Sequence, residues 1–81
     1  MSRWALHHSR TAVDALYHRV DRSHLKAMTA ALKALAVDPT PTNMQPSDED
    51  PSLFWIAVPG DYIVTYEIVD EQQIVRILTI E

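Results

Sequence analysis

The residues able to move protons or hold a metal are few and scattered: His7, His8, His18 and His24, the acidic run Asp48-Glu49-Asp50, three tyrosines, and Arg76 among carboxylates. Adjacent His7 and His8 fall on opposite faces of an extended segment, so one ion cannot take both. His18 and His24 flank a break between two helical patterns, but a zinc site needs three or four converging ligands. We read all four as surface histidines. Hard-metal loops use about six to eight oxygen ligands in a constrained turn, so the acidic run reads as solvated loop. There is no cysteine, hence no thiolate zinc site and no disulfide. The sequence predicts no metal, no cofactor and no catalytic residue.

The elements that must position these groups follow from periodicity. Eighty-one residues with no second core-forming stretch predict a single domain over 1–81. In "RWALHH", Trp4 and Leu6 share one parity and Arg3, Ala5 and His7 the other, as in an edge strand. Ser9 stands where an N-cap belongs, and Val13, Leu16, Tyr17 and Val20 follow at the spacing of one helical face. "DRS" interrupts, Ser23 is placed to cap again, and Leu25, Met28, Leu32 and Leu35 stripe a second helix that Asp38-Pro39 stops. So short a link predicts an antiparallel helical hairpin. "DPTPTNMQPSDEDPS" holds four of the five prolines and reads as an extended connector. From Leu53 the period becomes two: "LFWIAV", a type II turn with Pro59 and Gly60 at its centre, "YIVTYEIV", "DEQ", and "QIVRILTIE". The fold class is α+β: an N-terminal strand, a helical hairpin, then a three-stranded antiparallel meander with the helices on one sheet face.

No apolar run approaches the roughly 20 residues of a membrane span, and the N-terminus lacks a secretory apolar stretch, so the expected location is cytoplasmic. The formal charge of −4 argues against broad nucleic-acid binding. Before residue 45 stand six Lys and Arg against three carboxylates; from there on stand one cation and eight carboxylates. The helices therefore carry the cations, and Arg10, Arg19, Arg22 and Lys26 are candidates for electrostatic contact with an acidic partner segment, against the plainer reading of a solvated helix face.

The element order, with "LKALAVDPTP" leading to "LFWIAVPGDYIVTYEIVDEQQIVRILTIE", resembles the RelE/ParE superfamily of toxin–antitoxin systems. "GDYIVTYEI" is similar to its Y-x-x-x-Y-x-I strand, and Leu32, Leu35 and Pro39 match its helix-ending L-x-x-L-x-x-x-P. The resemblance implies a toxin of a bacterial type II (plasmid-stabilisation) system with a cognate antitoxin. Such toxins are ribosome-dependent messenger RNA nucleases or inhibitors of DNA gyrase. Where the nucleases carry two lysines this chain has Trp55 and Ala57, and where they carry an arginine it has Ile63. They also run past their last strand into basic, histidine or tyrosine residues, whereas this sequence stops at Glu81.

RNA cleavage through the 2′-hydroxyl needs a base, an acid and positive charge on the phosphate. Strand alternation instead places Trp55, Ala57, Ile63, Thr65, Val75 and Ile77 on the open sheet face, an apolar array expected to bind protein. The plainer alternative covers that face with the proline-rich loop or a homodimer. Three functions stay open: a toxin acting or neutralised through protein contact, with gyrase as one candidate target; a ribosome-dependent nuclease using Arg76, Glu67, Tyr66, Glu81 or a histidine; and a non-toxic binding module.

Overall fold

The computed structural model describes residues 4–81. β1 (Ala5–His8) leads directly into α1 (Arg10–His18). Ser9 between them is extended, and its Oγ accepts the Ala12 N–H at 3.0 Å, the N-cap contact that its side chain favours. Trp4 and Leu6 pack against the core as the alternation predicts; Arg3 lies outside the described residues.

The buried face of α1 is only partly the expected one: Val20 is buried and Leu16 packs against the core, but Val13 and Tyr17 do not join them. Ala12 and Ala15 are buried, with Val20 just beyond the helix, whereas Val13 is 37% and Tyr17 79% exposed. The two alanines let α1 lie close over the last strand. Val13 and Tyr17 then fall to the flank, where periodicity alone places them inward.

After α1 the cap is Asp21 and not Ser23. Asp21 Oδ1 accepts both the N–H and the Oγ–H of Ser23 at 3.0 Å, opening a 3₁₀ turn over Arg22–His24 that runs straight into α2 (Leu25–Val37). Those two hydrogen bonds hold the Asp21 carboxyl below its ordinary value. Met28, Leu32 and Leu35 are buried as the stripe predicts, and α2 ends at an extended Asp38 before Pro39.

The connector is not wholly irregular. Gln45–Pro46 form β2, pairing antiparallel with Trp55 and Phe54. Proline lacks an N–H, so it is tolerated here on an edge strand and hides the pairing from a periodicity reading. β3 (Leu53–Val58), β4 (Tyr62–Val69) and β5 (Ile74–Ile80) form the expected meander. The sheet order is β1-β5-β4-β3-β2, with β1 parallel to β5 and the other pairs antiparallel. α1 packs over β5, and α2 contacts β1 and β3. Among the described residues no helix is long and apolar enough to cross a membrane.

Two local features set the sheet's faces. At the β3–β4 turn, Gly60 has φ +99° and Asp61 φ +65°. A Cβ on Gly60 would come within 2.6 Å of the Tyr62 ring and 3.0 Å of His24 Nδ1. The turn is thus held against the link between the helices, where Tyr62 Oη accepts the Asp21 N–H at 2.9 Å and lies 3.0 Å from His24 Nδ1. On β5 the register shifts: Thr65 pairs with Thr79 but Tyr66 pairs with Ile77, leaving Leu78 as an extra residue in a β-bulge. Ser9 receives the bulge, its N–H donating to the Ile77 carbonyl at 2.9 Å and its Oγ–H to the Leu78 carbonyl at 2.6 Å.

Candidate functional site

Alternation along β3 and β4 turns Phe54, Ile56, Val58, Val64 and Tyr66 toward the helices, leaving Leu53, Trp55, Ala57, Ile63, Thr65 and Glu67 for the open face. Ala57 pairs with Ile63 and Trp55 with Thr65, so these four expected site residues do lie side by side. Val75 and Ile77 do not join them. Both have no solvent exposure and belong to the core under the helices. The bulge is the reason. It turns Ile77 and Ile80 inward together, although they are three positions apart, and puts Leu78 where simple alternation would have placed its neighbours.

Leu78, with Leu53, Trp55, Thr65 and Thr79, lines a shallow hollow of about 440 Å³ on this face. Asp48 and Glu49 from the connector and Glu81 after β5 complete its rim. Leu78 and Leu53 were absent from the sequence-derived site. The signal for Leu78 was the break in alternation itself, apolar residues at 75, 77, 78 and 80.

Beside the hollow, register places Leu53, Glu67, Arg76 and His7 in one row across four strands. Arg76 Nη1 lies 3.3 Å from Glu67 Oε1, with both side chains partly exposed. A carboxylate, a guanidinium and an imidazole therefore share a row. His8, one residue on, faces the helices instead; burial, then the neighbouring His7, lowers its pKa.

Tyr66 takes no part in a surface site. It is fully buried against Phe54, donates its hydroxyl to the Pro39 carbonyl at 2.9 Å, and burial with the nearby Asp38 pushes its pKa up to about 12. Asp50 in the acidic run accepts the N–H and Oγ–H of Ser52, which lowers its pKa. Among the described residues no three His, Cys, Asp or Glu are grouped to hold a metal ion.

On the opposite side, His8, Val13, Leu16, Tyr17, Leu25 and Thr29 line a second hollow of about 320 Å³. Lys26 and Lys33 border the adjoining outer surface of α2, which shares Leu25 and Thr29. The other expected cations are dispersed. Arg19 sits beside Asp14, His18 and Glu81 on the other flank of α1, Arg10 is exposed at the start of α1, and Arg22 is exposed in the 3₁₀ turn.

A sequence model of the family described as "ParE toxin of type II toxin-antitoxin system, parDE" matches residues 7–81. The chain belongs to the ParE toxin family. Its fold is shared with the toxin–antitoxin complex RelBE2 from Mycobacterium tuberculosis, at TM-score 0.84 and 24% identity over 100% of this chain and 92% of that one. The intact E. coli RelBE complex is similar at TM-score 0.79 and 15% identity, over 95% of this chain and 93% of that one. The archaeal RelE–RelB complex from Pyrococcus horikoshii OT3 follows at TM-score 0.71 and 19% identity, over 96% and 92%. No curated protein sequence matches the chain. At these identities the structures establish the ParE-family chain's fold and not its chemistry.

Proposed function

We propose that this ParE-family chain is a toxin that acts through protein contact at the open sheet face, and not by cleaving messenger RNA, and that an antitoxin neutralises it. The observation that carries this is the makeup of the hollow: an apolar floor of Leu53, Trp55 and Leu78 with a rim of Asp48, Glu49 and Glu81. Carboxylates there repel the phosphates of RNA, and the neighbouring cation, Arg76, is partly neutralised by Glu67 at 3.3 Å. An apolar floor with a polar rim is the anatomy of a protein-binding patch. For the antitoxin, the similar structures from E. coli and Mycobacterium tuberculosis are toxin–antitoxin complexes. The hollow around exposed Tyr17 and Val13, with Lys26 and Lys33 nearby, suits an acidic amphipathic segment.

The test is controlled expression in a bacterial host with a check of message integrity, comparing wild type with a Trp55→Ala, Leu78→Ser double variant. Growth arrest with intact messages, relieved in the variant, is the expected result. Cleaved messages would overturn protein contact as the mechanism.

A second reading rests on the row of Glu67, Arg76 and His7. A carboxylate base, a guanidinium on the phosphate and an imidazole acid are the groups that 2′-hydroxyl attack requires. Under this reading Arg76→Ala abolishes message cleavage while Trp55→Ala leaves it in place.

A further inference from the structure

We infer that the open-face hollow takes a basic protein segment: an apolar side chain seated on Trp55 and Leu78, flanked by lysines or arginines that meet Asp48, Glu49 and Glu81. This deepens, and rests on, the reading of that face as a protein-contact surface. The floor and the rim come from different parts of the chain and converge. β3 supplies Leu53 and Trp55, the bulge on β5 supplies Leu78, and the connector brings Asp48 and Glu49 to the edge because β2 ties it to β3.

Two further contacts anchor the connector near that edge: the Ser47 N–H donates to the Leu53 carbonyl at 2.9 Å, and Asp50 binds Ser52 within the same loop. Asp48 and Glu49 are therefore set on a tethered loop, and among the described residues no cation lines the hollow with them and Glu81. The segment from residue 45 onward carries one cation against eight carboxylates, and that cation, Arg76, is already engaged by Glu67. Arg19 lies beside Glu81 on the α1 side, so the uncompensated charge is that of Asp48 and Glu49, where an acidic or phosphate-bearing occupant is repelled and Lys or Arg flanks are favoured. The apolar floor supplies the anchor, because a shallow hollow binds through a few large buried side chains.

Direct binding of short fluorescent peptides to the full chain tests this. One carries a central phenylalanine flanked by lysines, its twin carries the same phenylalanine flanked by glutamates, and an oligouridylate of similar length serves as the nucleic-acid probe. The lysine peptide is expected to bind about fivefold to tenfold tighter than its twin, the sum of a few exposed ion pairs. Raised salt should shrink that margin. Asp48→Asn, Glu49→Gln and Glu81→Gln together should reduce the preference to less than about twofold with an unchanged melting temperature, and Trp55→Ala should weaken the lysine peptide by at least about tenfold.

Equal binding of the two peptides, a glutamate preference, no binding of the lysine peptide, or its displacement by the oligouridylate overturns the inference. Failure of the broader reading is distinguishable from these. If growth arrest still depends on Trp55 but the peptides show no charge preference, the face contacts protein and the basic occupant is wrong. Arrest that ignores Trp55 removes the protein-contact reading itself.

Discussion

Replacing Ile77 by serine and, separately, Leu78 by serine turns the β5 bulge into a measurement. Ile77 has no solvent exposure and packs with Val64, Tyr66 and Val75. Truncating a buried isoleucine typically costs about 2–5 kcal/mol, and a buried hydroxyl without a partner adds about 1 kcal/mol or more. A chain of 81 residues has a total stability on the order of 4–12 kcal/mol, so Ile77→Ser consumes about a quarter of it at least and can unfold the protein outright. Leu78, one position on, is only half-buried and lines the open hollow, so its serine variant should lose about 1 kcal/mol or less. Urea denaturation followed by far-UV circular dichroism separates the two. With a urea slope of about 1.5–2 kcal/mol per molar, a loss of about 4 kcal/mol moves the midpoint by about 2 M, and that of Leu78→Ser by about 0.5 M. Equal losses, or a larger one for Leu78→Ser, would refute the bulge and the assignment of Leu78 to the open face. The result also governs functional assays: loss of activity in Ile77→Ser reports unfolding, whereas loss in Leu78→Ser with the fold intact reports the surface.

Gly60→Ala should destabilise by about 1–3 kcal/mol and lower the melting temperature by about 5 °C or more, because φ +99° disfavours a side chain and the new Cβ would press on Tyr62 and His24. Ser9→Ala should cost about 1–2 kcal/mol in the same melt, since it removes both the α1 cap and the hydroxyl that meets the bulge; an unchanged melting temperature would mean that water replaces both contacts. Tyr66→Phe should cost about 1 kcal/mol near neutral pH through the lost bond to Pro39. The Tyr66 phenol sits above its ordinary 10.0, at about 12, so its stabilising neutral form is fully present below pH 10 and lost as pH rises through about 12. The variant should lack that part of the alkaline decline, and identical profiles for the two proteins would show that Tyr66 ionises without penalty.

The meander, the helices and their order were legible because each depends on local signals: a period of two after Leu53, an N-cap at Ser9, a stop at Asp38-Pro39. What escaped depends on partners distant in sequence. The buried face of α1 is chosen by how closely Ala12 and Ala15 let it approach β5, a property of the pair and not of the helix. β2 exists only because Trp55 and Phe54 offer it an edge. The open face was half legible: Trp55, Ala57, Ile63 and Thr65 follow from alternation on β3 and β4, while Val75 and Ile77 were misplaced because a bulge is a two-strand event.

The same bulge links the architecture to the surface proposed to act. A regular β5 would turn Val75 and Ile77 to one side and Ile74, Leu78 and Ile80 to the other, splitting its large apolar residues between the two faces. The extra residue sends Val75, Ile77 and Ile80 to the core and leaves one, Leu78, for the hollow. Ser9 matches this local irregularity, since its N–H and hydroxyl satisfy the carbonyls of Ile77 and Leu78 while its Oγ caps α1. One serine thus connects the start of the first helix to the point where β5 changes register. Core packing under α1 and the shape of the open-face hollow are therefore not independent, and a change that straightens β5 should disturb both together.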